Sequence, residues 1–409
     1  MKILILNAGS SSQKSCFYHL KEEVLPIQPP APLWEAQIDW SHHQGVAELK
    51  VKTIHGAVLK EELKTESRLE GVEYMLKTLW QGETKVIDSL AEIDCVGHRV
   101  VHGGDKYNES TLITKEVKEA IANFAKFAPV HNPVNLEGIV AIEQILGEKV
   151  PQVAVFDTAF HAEIPEEAAV YPIPYEFYQQ GIRRYGFHGI SHQYVSQRAA
   201  QLLGKDLTSL KLVTCHLGNG CSLAAVKNGY SIDTTMGFTP TAGLMMGTRS
   251  GDIDPGVIID LLRRGYTDKE IDDIFNRQSG FLGISGVSAD LRQIEEAIAK
   301  GNSRAKLAYN VYLHSLRSFI GAMIATLGGV DAIIFTAGVG ENAAKLRADV
   351  CAAFEFLGLK IDAEKNDRKP VDQDISTPDS SVKVLVIHTQ EDWAIAQECV
   401  RLSQLVLSH

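Results

Sequence analysis

Residues 2–20 read KILILNAGSSSQKSCFYHL, and residues 211–229 read KLVTCHLGNGCSLAAVKNG. Each is a continuous apolar run, a tight loop of glycine and small polar residues, and a second run that returns. The two align with Asn7 opposite His216 and Gly9 opposite Gly218, an offset of 209 residues in a chain of 409. A match at half-length points to a duplicated architecture of two similar domains. Two unrelated hairpins are the plainer alternative, because short apolar strands are common.

Working outward, buried strands alternate with helices. DCVGHRVVHGG (94–104) reads as a strand running into a glycine turn, and NLEGIVAIEQILG (135–147) as a helix stopped by Gly147. PQVAVFDTAFH (151–161) is a buried strand, HGISHQYVSQRAAQLLG (188–204) a helix, and 303–327 a long core helix. DAIIFTAG (331–338) predicts a strand with a helix over 341–356 behind it; VKVLVIHT (382–389) predicts another strand before a last helix. Such alternation predicts an α/β fold with mostly parallel sheets. The Pro-rich 24–33 and the polar 366–381 predict surface connections.

Length alone suggests about two to three domains. The formal net charge is −11, and no run of five basic residues occurs, so a nucleic-acid partner is not expected. The longest apolar stretch, Phe319–Gly338, contains Asp331 and the Gly328–Gly329 pair. It reads as a core helix and a strand rather than a membrane span. Six cysteines form no CxxC pair, and the first residues lack a secretory pattern. Free thiols in a reducing cytoplasm are the expectation.

Ligands of open α/β sheets bind beyond the carboxyl ends of strands. Three small-residue loops follow apolar strands: Asn7–Lys14, with Ser12 and Lys14 as donors, then His216-Leu217-Gly218-Asn219-Gly220, then Gly338-Val339-Gly340-Glu341-Asn342. One such loop is usually only a turn; three suggest a nucleotide. GxxxxGK[ST] is absent. Gly338–Ala343 also satisfies GxGxx[GA] with Asp362 beyond it, but it does not open a dinucleotide domain. Arg99 and Arg249 flank glycines, where a guanidinium forks onto an anion; a structural ion pair explains either one alone. His188 and His192 lack a third metal ligand, so zinc is discounted. Asp157 ends an apolar strand, a costly place for an unpaired carboxylate. Thr389 is a candidate helix cap, with Glu391 and Asp392 as first-turn acids, and a hard divalent cation is the other use for a carboxylate there.

Together NAGSSSQKS, HRVVHGG, PVHNP, VFDTAFH, YGFHGISH, HLGNGCS, FTPTAGLMMGTRSGDIDP, SGFLGISGVSADLR, FTAGVGEN and TQED resemble, in order and nearly end to end, the signatures of the acetate kinase (acetokinase) family, members of the sugar kinase, actin and Hsp70-type ATPase superfamily. The resemblance implies a duplicated two-domain, actin-like (ribonuclease H-like) α/β fold with the active site in the interdomain cleft. It implies a first domain over 1–155 joined by a helix at 393–409, a nucleotide-binding domain over 156–392, and a homodimer in the cytoplasm without membrane association. The implied reaction is reversible transfer of the ATP γ-phosphoryl to acetate with Mg2+ (Mn2+ as the alternative), giving acetyl phosphate. The named alternatives are a kinase for propionate or a longer acid such as butyrate, and a non-catalytic ATP-dependent scaffold.

Position by position, the resemblance implies Asn7 and Glu391 near the metal, and Arg99 and Arg249 on the substrate carboxylate and migrating phosphoryl. It implies His188 as transition-state stabiliser with Arg249, and Asp157 at the catalytic centre. His131, His216 and Asn219 match residues near the phosphates. The ATP site takes in Ser12, Lys14, His216, Leu217, Gly218, Asn219, Gly220, Asp290, Leu291, Arg292, Gly338, Val339, Gly340, Glu341 and Asn342. Val101, Val130, Phe187 and Pro240 match the pocket for the substrate methyl. Thr241-Ala242 replace a common Leu-Glu, Ala337 a common Gly, and Val130 a frequent Leu, which enlarges that pocket slightly. A simple carboxylic acid is ionised near neutral pH, so no general base is required and Asp157 is expected to position an arginine, water or metal.

Overall fold

The first hairpin forms as read. In the computed structural model, which describes residues 1–9, 12–20, 25, 26, 28–43, 45–129 and 131–407, β1 (Lys2–Ala8) pairs antiparallel with β2 (Ser12–His19). Ile3, Leu4, Ile5 and Leu6 are all buried, as a strand covered on both faces requires. Contacts divide the chain into two units, Met1–Ala159 with Gln390–His409, and Phe160–Thr389.

In the first unit, β1 and β2 continue into β3 (Trp34–His43), β4 (Val46–Thr53), β5 (Val58–Leu63), β6 (Cys95–Val100), β7 (Thr111–Leu112) and β8 (Gln152–Phe156). Among the described residues they make one sheet in the order β5-β4-β3-β2-β1-β6-β8-β7. The meander β3–β5 carries a period-2 pattern, with Trp34, Ala36 and Ile38 facing inward under the helix Arg68–Lys77. The C-terminal helix Glu391–Leu407 packs on the other side. A Cβ on Gly97 of β6 would lie 2.5 Å from Ile395 and 2.7 Å from Cys399, so only glycine admits that helix so closely.

The second unit has β9 (Lys211–Leu217), β10 (Cys221–Lys227), β11 (Tyr230–Thr234), β12 (Ala332–Thr336), β13 (Gln373–Asp374) and β14 (Lys383–Val386), in the order β11-β10-β9-β12-β14-β13. The run β3-β2-β1-β6-β8-β7 has the same order and the same sense at every pairing: antiparallel, antiparallel, parallel, parallel, antiparallel. The architecture is therefore duplicated.

Four local expectations change. The sheets are mixed rather than mostly parallel: hairpins force antiparallel neighbours, and only β1-β6-β8 and β9-β12-β14 run parallel. The predicted helix 341–356 is broken at Ala343, between Ala337–Asn342 and Ala344–Ala352. Buried Arg347 takes the carbonyls of Gly340 and Glu341, both at 2.8 Å, in place of helical donors. The segment 366–381 is not a surface loop, since it contains β13 and buried Ile375, Ser376 and Ser380. Its polar groups are paired internally, as Asp374 Oδ1 accepts the Ser376 N–H at 2.8 Å. Thr389 does not cap the last helix, which begins at Glu391; its hydroxyl bonds Ser191 Oγ at 2.9 Å. The connection through 25–33 is irregular where described.

Candidate active site

In the first unit the carboxyl ends of β1, β6 and β8 bring together Asn7, Arg99 and Asp157, and the last helix adds Glu391 and Asp392. Arg99 Nε donates to Asp157 Oδ2 at 3.0 Å, Nη2 bonds the same oxygen, and Nη1 donates to Asn7 Oδ1 at 3.4 Å. Asn7 Nδ2 donates to Asp392 Oδ1 at 3.2 Å and Glu391 Oε2 at 3.4 Å. One arginine thus faces three carboxylates, Asp157 buried and Glu391 and Asp392 half-buried. Burial pulls the Arg99 value down, but Asp157, Glu391 and Asp392 outweigh it and raise it. Burial raises both Glu391 and Asp392; repulsion from Asp157 adds to the former and from Glu391 to the latter, against Arg99 on the former and Asn7 and Lys14 on both. Lys14, exposed on the otherwise mostly buried β2, lies opposite Asn7.

This surplus of carboxylate oxygens fits a hard divalent cation. Among the described residues no group of three or more His, Cys, Asp and Glu forms a complete protein cage. A cation here would therefore share its shell with water and phosphate oxygens, as magnesium does.

Behind the cluster, Asn135 Oδ1 accepts the Val101 N–H at 3.1 Å and its Nδ2 donates to Ala8 carbonyl at 3.4 Å. Asn132 holds the His102 N–H at 3.1 Å. Sequence reading missed both asparagines; PVHNPVN offered the signal, two amides three apart at a helix start. His131 directly precedes that helix, and Val101 is buried. Val130 lies outside the described residues.

In the second unit His188 sits at the start of the helix Gly189–Leu203 with φ 58° and ψ 25°. A left-handed non-glycine residue costs about 1–3 kcal/mol and clusters at functional sites. Its ring stacks on His216 with centroids 4.2 Å apart. A Cβ on Gly220 would lie 3.3 Å from Arg249 Nη1 and 3.6 Å from His188 Nε2, so the guanidinium and the imidazole edge converge over this glycine. Burial lowers the Arg249 value, with only Cys221 opposing. Among the described residues no carboxylate forms an ion pair with Arg249; Pro240 carbonyl accepts from Nη1 at 3.4 Å. A cation left unpaired in a half-buried place is suited to an anion.

Beside it lies a cavity of about 740 Å3, lined by Gly218, Asn219, Asp290, Leu291, Arg292, Gly338, Val339 and Asn342 among others. That is ample for a nucleotide. Gly338 has nothing within 4 Å of where a Cβ would stand. Other expected ATP residues do not line this cavity. Leu217 is buried in β9, Gly340 is packed on Phe335, and Glu341 binds His388 Nδ1 at 2.6 Å and the Thr389 N–H at 3.3 Å. Ser12 and Lys14 belong to the first unit. His216 Nδ1 bonds Ser191 Oγ at 2.8 Å. Phe187 is 1% exposed, its carbonyl held by His161 Nε2 at 3.1 Å, and Pro240 is half-buried. Asp362, the candidate ribose acid, caps its own helix through the Lys365 N–H, which removes the dinucleotide alternative.

The Acetokinase family matches residues 2–397. The chain belongs to the acetokinase family. It is thus an enzyme, a phosphotransferase with a carboxyl acceptor, and not a scaffold. The chain is 63% identical over 405 residues to an acetate kinase of Cyanothece sp. (strain PCC 7425 / ATCC 29141), covering 99% of each. The crystal structure of Porphyromonas gingivalis acetate kinase matches with TM-score 0.90 and 42% identity, over 98% of this chain and 99% of that one. A propionate kinase from Francisella tularensis subsp. tularensis SCHU S4 matches with TM-score 0.87 and 38% identity, over 97% and 98%. The fold of these acetokinases is the duplicated actin-like α/β fold seen here.

Proposed function

We propose that the protein transfers the γ-phosphoryl group of ATP reversibly to acetate, giving ADP and acetyl phosphate. The observation that carries this reading is the convergence of His188 with Arg249, which has no carboxylate in an ion pair among the described residues, over Gly220, next to a nucleotide-sized cavity. Phosphoryl transfer needs alignment and charge neutralisation more than covalent chemistry. Arg249 and His188 present fixed positive density where equatorial phosphoryl oxygens gather charge. The acetate carboxylate is already ionised and attacks the phosphorus directly in line, so no residue removes a proton. Asp157 acts by holding Arg99 in its fork, and Arg99 meets the carboxylate of the acceptor. The acceptor's methyl group goes to the apolar residues that the family resemblance assigns to it, Val101, Phe187 and Pro240 among them.

Glu391 and Asn7 would hold Mg2+, or Mn2+ in its place, with Asp392 adjacent; bound there, the ion neutralises phosphate charge. Among the described residues no helix is long and apolar enough to cross a membrane, and all six cysteines are buried free thiols; a cytoplasmic enzyme accords with both. A homodimer accords with the helix Pro255–Arg263, where Val257, Ile258, Ile259 and Leu262 are all exposed.

The test is to incubate the protein with Mg-ATP, hydroxylamine and a panel of short carboxylates, and to measure hydroxamate. Acetate should give the highest kcat/KM. Propionate should follow within about a hundredfold, since one methylene in a pocket is worth about 1–3 kcal/mol. No hydroxamate from any acid overturns the reading.

A further inference from the structure

A chain of hydrogen bonds runs through the second unit behind His188. Thr214 Oγ1 donates to Ala224 carbonyl at 3.4 Å. Thr214 Oγ1 also meets His192 Nδ1 at 2.7 Å, His192 Nε2 meets Ser222 Oγ at 2.7 Å, and Ser222 Oγ meets His188 Nδ1 at 2.8 Å. Thr214 and Ser222 come from neighbouring strands β9 and β10, and the two histidines lie one turn apart on the helix Gly189–Leu203. His192, Thr214 and Ser222 are completely buried.

We infer that Thr214, His192 and Ser222 form a relay that fixes the proton of His188 on Nδ1 and aims Nε2 at the transferring phosphoryl group. The inference rests on the phosphotransfer reading and assigns these three as positioning residues. Proton counting sets the direction of each bond. A hydroxyl has one proton, and a neutral imidazole has one proton for two nitrogens. Thr214 spends its proton on a carbonyl, which can only accept. It therefore accepts from His192, placing that proton on Nδ1. His192 Nε2 is then a bare acceptor and takes the Ser222 proton. Ser222 is left to accept, and His188 must donate from Nδ1. Burial, with His161 and His216 nearby, holds His192 well below the ordinary histidine value and so neutral, as the count requires.

The consequence lies at Nε2, the edge over Gly220 beside Arg249. With Nδ1 committed, Nε2 donates to a phosphoryl oxygen only from the charged ring. The hydrogen bond and a full positive charge then reach the transition state together. The reversed polarity would place a neutral Nε2–H there instead.

The experiment is nitrogen NMR on the whole protein labelled with 15N-histidine, with His188 and His192 assigned by His188→Gln and His192→Gln. Long-range proton–nitrogen correlations distinguish Nδ1–H from Nε2–H rings. The expected result is Nδ1–H for His192 and, when neutral, for His188. Ser222→Ala should abolish the His188 preference and lower kcat about tenfold, the worth of one hydrogen bond, with both KM values unchanged. Ser222→Cys should restore part of each. Thr214→Val, which removes the anchor at nearly constant volume, should scramble His192 even if Ser222→Ala folds poorly. An Nε2–H His188 in the native protein, or an unmoved His188 pattern in a folded Ser222→Ala, overturns the relay. The NMR result does not depend on hydroxamate formation, so failure of the relay and failure of the phosphotransfer reading are told apart.

Discussion

The two units share one strand plan and carry opposite electrostatics. At the carboxyl ends of β1, β6 and β8, Arg99 is outnumbered by Asp157, Glu391 and Asp392. Around the corresponding β9–β10 loop stand His188, His216 and Arg249, with no carboxylate in an ion pair with that arginine among the described residues. Asn7 in one occupies the place of His216 in the other. A duplicated backbone therefore fixes where functional side chains emerge, whereas their identity decides whether a half-site attracts a cation or an anion.

The sharpest way to break this contrast is to remove each arginine in turn. Arg99→Ala leaves buried Asp157 without its ion-pair partner and should cost about 3–5 kcal/mol of stability as well as activity; urea unfolding measures it, and an unchanged midpoint denies that Arg99 is structurally committed. Arg249→Ala strands no ion-paired carboxylate among the described residues, and frees only the Pro240 carbonyl and the Met246 sulfur. It should keep the native melting temperature and lose roughly 10²–10³-fold in kcat; a raised KM with kcat intact would make Arg249 a ground-state binder only.

Glu391→Gln sharpens the acidic side. Burial raises the Glu391 value above 4.5, so the folded state favours its proton and the ionised form works against folding at neutral pH. The variant should melt higher than the parent at pH 7, with the advantage fading as pH falls through the raised folded value and gone below 4.5, while magnesium-dependent turnover drops. A lower melting temperature at pH 7 would show the carboxylate to be compensated. The smallest effect belongs to Ala337, which holds φ 63° at the head of the nucleotide loop. Ala337→Gly should relieve left-handed strain and stabilise by under about 1 kcal/mol, because glycine's looser unfolded chain offsets part of the gain. Calorimetry reads the difference; destabilisation would mean that the methyl group packs.

Much of this plan was legible in the chain. Both hairpins announce themselves because strands covered on two faces must be apolar throughout. The meander β3–β5 went unread although WEAQIDW alternates, since one covered face gives only half the signal. Strand sense was misjudged because composition does not distinguish a parallel neighbour from an antiparallel one. Arg99, Asp157, Asn7 and Glu391 were named from motifs, but their shared hydrogen bonds join positions up to 384 residues apart, and no local pattern encodes that. The Thr214–His192–Ser222 chain was invisible for the same reason: each member reads alone as ordinary core polarity.

The helix Glu391–Leu407, seated against Gly97, sets an order of assembly. On the ribosome the second unit, continuous over Phe160–Thr389, emerges whole before that helix does. The first unit, though begun earlier, must wait with β6 uncovered and Asn7 lacking its carboxylate partners. The portion translated first is thus the portion finished last, and a nascent chain stalled at Thr389 would expose an apolar sheet face to chaperones while its later-made neighbour is already closed.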